Sequence, residues 1–228
     1  MLLAALLPTR CAGCGAPGPS PCARCARLVA RAPDGPVPPG LAACRSLVAY
    51  DGLGRALVTA LKYRRDRAAL GWTASGMAAL LAPPPGTVVT WAPTTAARRR
   101  RRGFDQAELL ARAVARRWRL PCRPLLDRRS GPPQTGRPLA ERRTGPRFVA
   151  RPGARRLAGG RPVVLVDDVV TTGSTLAAAA RALAVAGPAT VVGLTAARTP
   201  PPATSPRSVS ARLREVEDFS QVTAGSGR

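Results

Sequence analysis

Residues 163–176 read VVLVDDVVTTGSTL, and this stretch limits the possible folds of the chain more than any other part of it. Residues 163–166 form a short apolar run of the kind that makes a buried strand, and two carboxylates follow where that strand is expected to end. A turn of small hydroxyl residues around one glycine comes next, and then an alanine-rich helix. Such a turn forms an anion site, because backbone N–H groups converge there and the helix dipole favours negative charge.

The two carboxylates, Asp167 and Asp168, have a different partner from the turn. They cannot hold a phosphate, because like charges repel, but they suit sugar hydroxyls, which donate hydrogen bonds to them, or a metal ion. The simpler alternative is a strand that ends in a solvated acidic pair before a capped helix. The turn is not a Walker A loop, because the Gly-Lys-Ser/Thr ending of that motif is absent.

Strand-like and helix-like patterns alternate along the chain. Strands are predicted at residues 46–50, 87–92, 163–166 and 191–196, and helices at 53–63, 72–81, 104–118 and 176–186. This alternation predicts an α/β fold with a parallel sheet and helices on both of its faces. Ligands in such sheets bind at the carboxyl ends of the strands, where the turns after residues 92 and 166 belong.

The composition excludes several kinds of catalysis and leaves the nature of the partner open. The chain has no histidine, which rules out Ser-His-Asp and Cys-His catalysis and any histidine-ligated metal. The net charge is +24, and Lys62 is the only lysine among the 36 basic residues. Such a charge attracts DNA, RNA or a pyrophosphate. The other explanation is a coding bias toward arginine, under which the run at 98–102 is a solvated stretch.

Two CxxC pairs near the start of the chain predict a metal site. Cys11 and Cys14 form the first pair, and Cys22 and Cys25 form the second. Four thiolates complete the closed tetrahedral shell of a structural Zn²⁺. A redox CxxC is normally single and precedes a helix, and two disulfides do not suit a reducing compartment. Cys44 and Cys122 lie far from the pairs and are predicted to be ordinary, partly buried thiols.

The motif at 163–176 resembles the phosphoribosyl-pyrophosphate signature of type I phosphoribosyltransferases. By this resemblance Asp167 and Asp168 bind the ribose 2′- and 3′-hydroxyls, and Thr94 and Thr95 approach a pyrophosphate that carries Mg²⁺. Lys62 and the arginines at 98–102 are candidates for stabilising the departing pyrophosphate, with a surface cation as the alternative for Lys62 and a solvated stretch as the alternative for the arginines. The 5′-phosphate is held by five residues of the turn, namely Thr171, Thr172, Gly173, Ser174 and Thr175.

Most of the chain resembles the ComF family of competence-associated proteins, which have a zinc ribbon before a phosphoribosyltransferase-like domain. The resemblance covers residues 1–197 and departs from the family at Trp91-Ala92-Pro93, where Pro-Val-Pro is usual, at Asp105, where Asn is usual, and at Thr144. The remaining matches are Tyr50-Asp51-Gly52, Leu61-Lys62-Tyr63, Arg102-Gly103-Phe104, Gln106, Gln134 and Arg143.

The predicted organisation is a parallel-sheet type I phosphoribosyltransferase-like domain preceded by a small zinc ribbon. Residues 1–31 form the zinc-ribbon module, 32–44 a linker, 45–198 the phosphoribosyltransferase-like domain and 199–228 a flexible tail. The segment 128–146 is rich in Gly, Pro and Arg, which is typical of a lid or a disordered loop. The apolar run at 2–7 is too short to cross a membrane, so a cytoplasmic protein is expected.

The predicted function is binding of phosphoribosyl pyrophosphate or a related ribose phosphate, with transfer to an acceptor that the sequence does not identify. One alternative is a non-enzymatic accessory factor of DNA uptake that binds single-stranded DNA or a competence helicase. Aromatic residues make up 4% of the chain, which argues against an extensive base-stacking platform. Another alternative is a regulator that senses phosphoribosyl pyrophosphate without turning it over. The sequence leaves the oligomeric state open.

Overall fold

The computed structural model describes residues 9–63, 68–129 and 146–201, in which strands and helices alternate. The strands are β1 (Ala43–Ala49), β2 (Val88–Trp91), β3 (Leu126–Arg129), β4 (Arg147–Ala150), β5 (Pro162–Val170) and β6 (Thr190–Arg198). The helices are α1 (Ala23–Leu28), α2 (Gly52–Tyr63), α3 (Ala68–Ala79), α4 (Ala96–Arg102), α5 (Gln106–Trp118), α6 (Ala154–Ala158) and α7 (Ser174–Ala184). Among the described helices, none has both the length and the apolar character that a bilayer crossing requires.

Four parallel strands form the central sheet in the order β1-β6-β5-β2. Strand β5 lies inside this sheet, where both of its faces are covered, and its apolar run is buried. That burial explains why the run is continuously apolar rather than alternating. Trp91 at the end of β2 pairs with Val166 of β5, so the two strands present their carboxyl ends at one edge. The predicted parallel α/β sheet is confirmed.

Helices cover both faces of the sheet and enclose two apolar cores. Helices α2, α3 and α5 pack on one face, with Leu57, Met77 and Leu110 in the core. Helices α6 and α7 pack on the other face, where Leu176 and Leu183 are buried. The alanines of α7 at positions 177–180 are also buried, because a small side chain lets a helix lie close to the sheet. Helices on both faces were predicted, and the two cores confirm them.

Strand β5 is longer than predicted. It runs to Val170, so that Asp167 and Asp168 lie within the strand and not after it. Strand β6 continues to Arg198, and its backbone extends the ladder beside β5 through the pairs Asp167↔Thr195 and Val170↔Arg198. The prediction that the strand ends at residue 166 was wrong, because pairing with a long neighbour outweighs the local signal of two charged residues.

The segment around 128–146 begins and ends in strands that the sequence did not predict. Strands β3 and β4 pair antiparallel, with Arg128 opposite Phe148. Helix α6 follows β4 and was also not predicted. Residues 130–145, which contain most of the predicted lid with Gln134 and Arg143, lie outside the described residues.

The cysteine-containing segment lies against the sheet domain. The backbone N–H of Ala49 donates to the carbonyl of Ala30 at 3.0 Å, and that of Ala32 donates to Leu47 at 3.3 Å. Arg31 pairs with Val48 in an antiparallel bridge, so this stretch lies beside β1. Farther back, a Cβ at Gly13 would approach Cδ2 of Leu53 on α2 to 2.7 Å. Residues 1–8 and the predicted tail from 202 onward are outside the described residues.

Candidate functional site

A cavity of about 140 Å³ opens at the edge of the sheet where β2 and β5 end. The backbone N–H of Ala92 donates to the carbonyl of Val166 at 2.9 Å, which holds the turn after β2 beside the aspartates of β5. The polar residues of its lining come from several elements and turns, and they include Thr94, Arg98, Arg102, Gln106, Asp167 and Asp168. The cavity thus lies at the carboxyl ends of the strands, where the sequence analysis expected a ligand to bind.

Asp105 fixes the turn after β2 to the start of α5. It is 4% exposed. One carboxylate oxygen, Oδ2, accepts the N–H of Thr94 at 2.8 Å, and Oδ1 caps α5 by accepting the N–H of Ala107 at 3.1 Å. Burial raises the pKa of Asp105, and these N–H donors reduce that rise without cancelling it. Asn caps helices as well as Asp does, but it has a single amide oxygen, whereas Asp105 accepts the N–H of Thr94 with one oxygen and caps α5 with the other.

The two aspartates of β5 lie between two neighbouring cavities. Both line the larger cavity, and Asp167 also lines a smaller one of about 90 Å³ formed by the turn at 171–175. The N–H of Asp168 donates to Oδ1 of Asp167 at 2.8 Å. The two side chains therefore lie where one elongated ligand can extend from the turn, past the carboxylates and into the larger cavity.

The turn at 171–175 has the features of an anion site. Helix α7 begins after Gly173, whose φ is 77°, and no side chain in the described part of the chain caps it. The N–H of Ser174 makes a long hydrogen bond of 3.4 Å to Oγ1 of Thr172, and the next N–H groups of the helix point toward the turn, where a ligand can accept them. Thr172 and Ser174 share a hydroxyl hydrogen bond of 3.1 Å. Gly173 is required by the fold itself, because a Cβ there would lie 2.7 Å from Cγ of Pro38.

Three arginine side chains bring positive charge to the larger cavity: Arg98 and Arg102 of α4 and Arg128 of β3. The Arg128 guanidinium stacks on the ring of Phe148, 5.5 Å from its centroid, which orients it. Burial lowers the pKa of Arg128, and the nearby charge of Arg98 lowers it further. The sequence analysis missed Arg128, because it lies in the stretch interpreted as a loop and no local pattern marked the β3–β4 pair.

Of the other predicted site residues, Thr94, Thr95 and Lys62, the described structure places Thr94 at the larger cavity. The hydroxyl of Thr95 accepts the N–H of Arg98 at 3.2 Å and caps α4, and Thr95 does not line the cavity in the described structure. Lys62 lies in the last turn of α2, and its side chain is outside the described part of the structure.

Gln106, the first residue of α5, is a second site residue to which the sequence analysis assigned no role. It lines the larger cavity although it is 3% exposed. Both polar atoms of its amide are buried and lack a hydrogen-bond partner among the described residues. Buried amides in proteins are normally paired, so this one marks a point where a ligand can supply the missing bonds.

The four predicted zinc ligands come together. The Sγ atoms of Cys11, Cys14, Cys22 and Cys25 all lie within 4.8 Å of one another, and those of Cys14 and Cys22 are 3.7 Å apart. A tetrahedral zinc with bonds of about 2.3 Å separates its sulfurs by about 3.8 Å, so this cluster could hold the ion.

The pKa values of the clustered cysteines show that a bound cation would be needed to keep all four as thiolates. Burial opposes the thiolate of Cys11, but the N–H groups of Cys22, Cys14 and Gly13 stabilise it and lower its pKa to about 6. Burial and the neighbouring cysteines raise the pKa of Cys25 to about 12. Without a cation, the four thiols therefore do not all ionise at neutral pH.

The two remaining cysteines lie apart from this cluster. Cys44 and Cys122 are both half-buried. Burial raises the pKa of Cys44 and raises that of Cys122 to about 11, so both are protonated at neutral pH. Neither lines the two cavities at the carboxyl edge of the described sheet.

Comparison with known proteins gives one family and several similar solved structures. A family model described as "Phosphoribosyl transferase domain" matches residues 108–222, half of the chain. The search of curated proteins found no match to this chain. Similar solved structures include an allosteric regulatory enzyme of purine biosynthesis, 22% identical with a TM-score of 0.38, where the match covers 55% of this chain and 25% of that one. Another is TT1426 from Thermus thermophilus, 20% identical with a TM-score of 0.37, covering 63% and 86% respectively.

Proposed function

Because the chain belongs to the phosphoribosyl transferase domain family, we propose that it binds phosphoribosyl pyrophosphate and transfers its phosphoribosyl group to an acceptor. One observation carries this proposal. The smaller cavity, formed by the turn at 171–175, and the larger cavity are neighbours, and Asp167, Val169 and Thr175 line both. An anion site, a pair of carboxylates and a cavity lined by guanidinium groups thus follow one another, in the order of the phosphate, ribose and pyrophosphate of this ligand.

Each part of the ligand has its own residues in this proposal. The 5′-phosphate accepts N–H groups at the start of α7 and hydroxyl groups of the turn, namely Thr171, Thr172, Gly173, Ser174 and Thr175. The ribose hydroxyls donate to Asp167 and Asp168. Thr94 faces the pyrophosphate directly, since it lines the cavity, and Thr95 contributes by capping the helix that carries Arg98.

In the proposed reaction the lone pair of the acceptor forms a bond to C1 of the ribose. The bond from C1 to the pyrophosphate oxygen breaks, and its electron pair leaves with the pyrophosphate. Arg98, Arg102 and Arg128 stabilise the charge that develops on this leaving group. Lys62 remains a candidate for the same role. Mg²⁺ fits a site with two adjacent carboxylates and, when bound, neutralises charge on the pyrophosphate.

The cysteine cluster is proposed to hold a structural Zn²⁺, with Cys11, Cys14, Cys22 and Cys25 as its four ligands. A zinc module before a phosphoribosyltransferase-like domain is the arrangement of the ComF family, and membership of that family is part of the proposal. So is the division into a module at 1–31, a linker at 32–44, a domain at 45–198 and a tail. A four-thiolate zinc also suits the reducing cytoplasm.

A second candidate function is binding of single-stranded DNA or a helicase during DNA uptake. The observation that favours it is helix α4, which carries five consecutive arginines. Four of these, Arg98 to Arg101, are exposed. An exposed run of guanidinium groups attracts a phosphate backbone whatever its sequence.

Titration calorimetry with phosphoribosyl pyrophosphate and Mg²⁺ tests the proposed function. The Asp167→Asn and Asp168→Asn variants each remove a charge-assisted hydrogen bond to ribose, so we expect the affinity to fall by about ten- to a hundredfold. Asp34→Asn is the control, because Asp34 lies outside both cavities. Wild-type protein without measurable affinity, or equal affinity in all four proteins, would contradict the proposal. Release of pyrophosphate with a panel of acceptors would then identify the acceptor.

A further inference from the structure

Gln106 combines two properties that conflict unless a ligand is present. Its side chain lines the larger cavity, and its amide Nε2 and Oε1 are buried without a partner among the described residues. Burying an amide without hydrogen bonds destabilises a fold. Leucine or methionine would fill a similar volume there without that cost. A glutamine at this position is therefore explained by a ligand in the cavity that forms hydrogen bonds with its amide.

The position of Gln106 identifies the part of the ligand that it meets. Asp105 holds the N–H of Thr94 at 2.8 Å and caps α5, so Gln106 starts its helix beside the turn after β2. That turn is held at Val166 of β5, directly before the two aspartates, whereas the 171–175 turn follows the last residue of the strand, Val170. A ribose on Asp167 and Asp168 with its 5′-phosphate in the 171–175 turn directs its C1 substituent toward Gln106.

The charge around Gln106 indicates that this substituent is an anion. Arg98, Arg102 and Arg128 line the same cavity, and they come from two different elements. The charge of Arg98 lowers the pKa of Arg128, which means that the two guanidinium groups are close enough to repel each other. A bound pyrophosphate relieves that repulsion, whereas a neutral acceptor in the same place would not.

We infer that Gln106 is a binding residue for the pyrophosphate end of the ligand and selects phosphoribosyl pyrophosphate over ribose 5-phosphate. The inference rests on the proposed function of the site. The amide NH₂ donates to a phosphoryl oxygen, and the amide carbonyl would accept from a water that a Mg²⁺ on the pyrophosphate would bring into the cavity. Asp105 acts through Gln106 as a positioning residue.

The test measures the dissociation constants of phosphoribosyl pyrophosphate and ribose 5-phosphate, each with Mg²⁺, for the full chain and its Gln106→Leu variant. We expect phosphoribosyl pyrophosphate to bind about ten- to a hundredfold more weakly to the variant, and ribose 5-phosphate to bind within about twofold of wild type. The melting temperature of the ligand-free variant should rise by roughly 2–4 °C, because a buried unpaired amide has been removed. Gln106→Met, which keeps the length of the side chain, is a second variant with the same expectation.

Thr73→Val is the matched control. Thr73 of α3 is 3% exposed, and its hydroxyl also lacks a partner among the described residues, but it does not line the cavity. This variant should gain stability without any change in the affinity for either ligand. A ratio of the two dissociation constants that stays at the wild-type value in both Gln106 variants would overturn the inference alone. Wild-type protein that binds neither ligand would overturn the proposed function, and the inference with it.

Discussion

At the scale of single residues, Asp105 is a buried carboxylate that accepts hydrogen bonds from the N–H groups of Thr94, Ala107 and Glu108. Its folded pKa is raised above the ordinary value of 3.8, with burial as the largest cause. Below pH 3.8 the group is protonated in both the folded and the unfolded protein. As the pH rises through the folded pKa, the unfolded state has already released its proton, so the stability that Asp105 contributes is lost.

The Asp105→Asn variant should remove this pH dependence, because its amide oxygen can still cap α5 but does not titrate. We expect the free energy of unfolding of the variant to increase relative to that of wild type as the pH rises from 3.8 through the folded pKa of Asp105, because wild type loses stability over this range. Urea denaturation of both proteins in steps from about pH 4 to about pH 7 measures the difference. Carboxylates common to the two proteins cancel in this comparison. A difference that is independent of pH would show that the N–H donors balance burial, and a difference that runs the other way would show that they outweigh it; either result contradicts the prediction.

The site was predicted from the sequence where its residues are consecutive. The sequence marks the turn at 171–175 and the two aspartates as candidates because a strand, an acidic pair and a glycine turn form one continuous pattern, and their role in binding stays a prediction. The roles of Gln106 and Arg128 could not be identified in this way, since their importance depends on burial and on residues far away in the chain. An unpaired amide becomes visible when all of its neighbours are known. Arg128 reaches the cavity because β3 pairs with β4 and brings Phe148 beneath its guanidinium.

At the scale of elements, the sequence identified those with a strong hydrophobic period. Helix α5 was predicted at 104–118 and extends over Gln106–Trp118, because its apolar positions repeat at helical intervals. Helix α4 has no apolar face, and the sequence left its arginines open between a solvated stretch and a role at the pyrophosphate. Thr95 caps its start, and Gly103 ends it with a φ of 79°, so local hydrogen bonds rather than burial define this helix. Two of its arginines, Arg98 and Arg102, line the cavity four positions apart on one side.

Two double variants of α4 distinguish an enzyme site from a DNA surface. Arg98→Ser with Arg102→Ser removes the charges that line the cavity, and we expect the affinity for phosphoribosyl pyrophosphate to fall by about tenfold or more. Arg100→Ser with Arg101→Ser is the matched control, since it lowers charge and helix propensity equally but changes exposed side chains outside the cavity.

The second double variant also tests the DNA candidate. If α4 binds single-stranded DNA, the logarithm of the binding constant should depend less steeply on the logarithm of the salt concentration in this variant. The slope should fall by roughly 0.7 for each phosphate contact that is lost. Calorimetry for the ligand and fluorescence anisotropy for DNA give both readouts on the same proteins. Equal losses of phosphoribosyl pyrophosphate affinity in the two double variants would mean that general attraction, and not the cavity, accounts for the effect of α4.

At the scale of the whole molecule, the cysteine segment and the sheet domain share packing. Ala12 and Val29 pack against the core that contains α2 and α3, and Gly13 approaches Leu53. The chain after the cysteines then runs beside β1, with backbone hydrogen bonds to Leu47 and Ala49. A module attached by a free linker would unfold alone. A module that covers part of the core and extends an edge strand couples its own folding to that of the sheet.

If the four cysteines hold the proposed zinc, its removal should weaken both parts of the protein. We expect a strong chelator to expose the backbone around the four cysteines, to lower the melting temperature of the full chain, and to speed amide hydrogen exchange in β1, because that strand loses its outer partner. A loss of about 1 kcal/mol in stability corresponds to roughly 2–4 °C for a chain of this size. Calorimetry and hydrogen exchange, each with and without chelator, measure the two effects. The Cys122→Ala variant controls for thiol chemistry outside the cluster, and it should lose as much stability on chelation as wild type. Unchanged melting and unchanged exchange in β1, together with increased exchange near the cysteines, would mean that the module folds independently of the sheet.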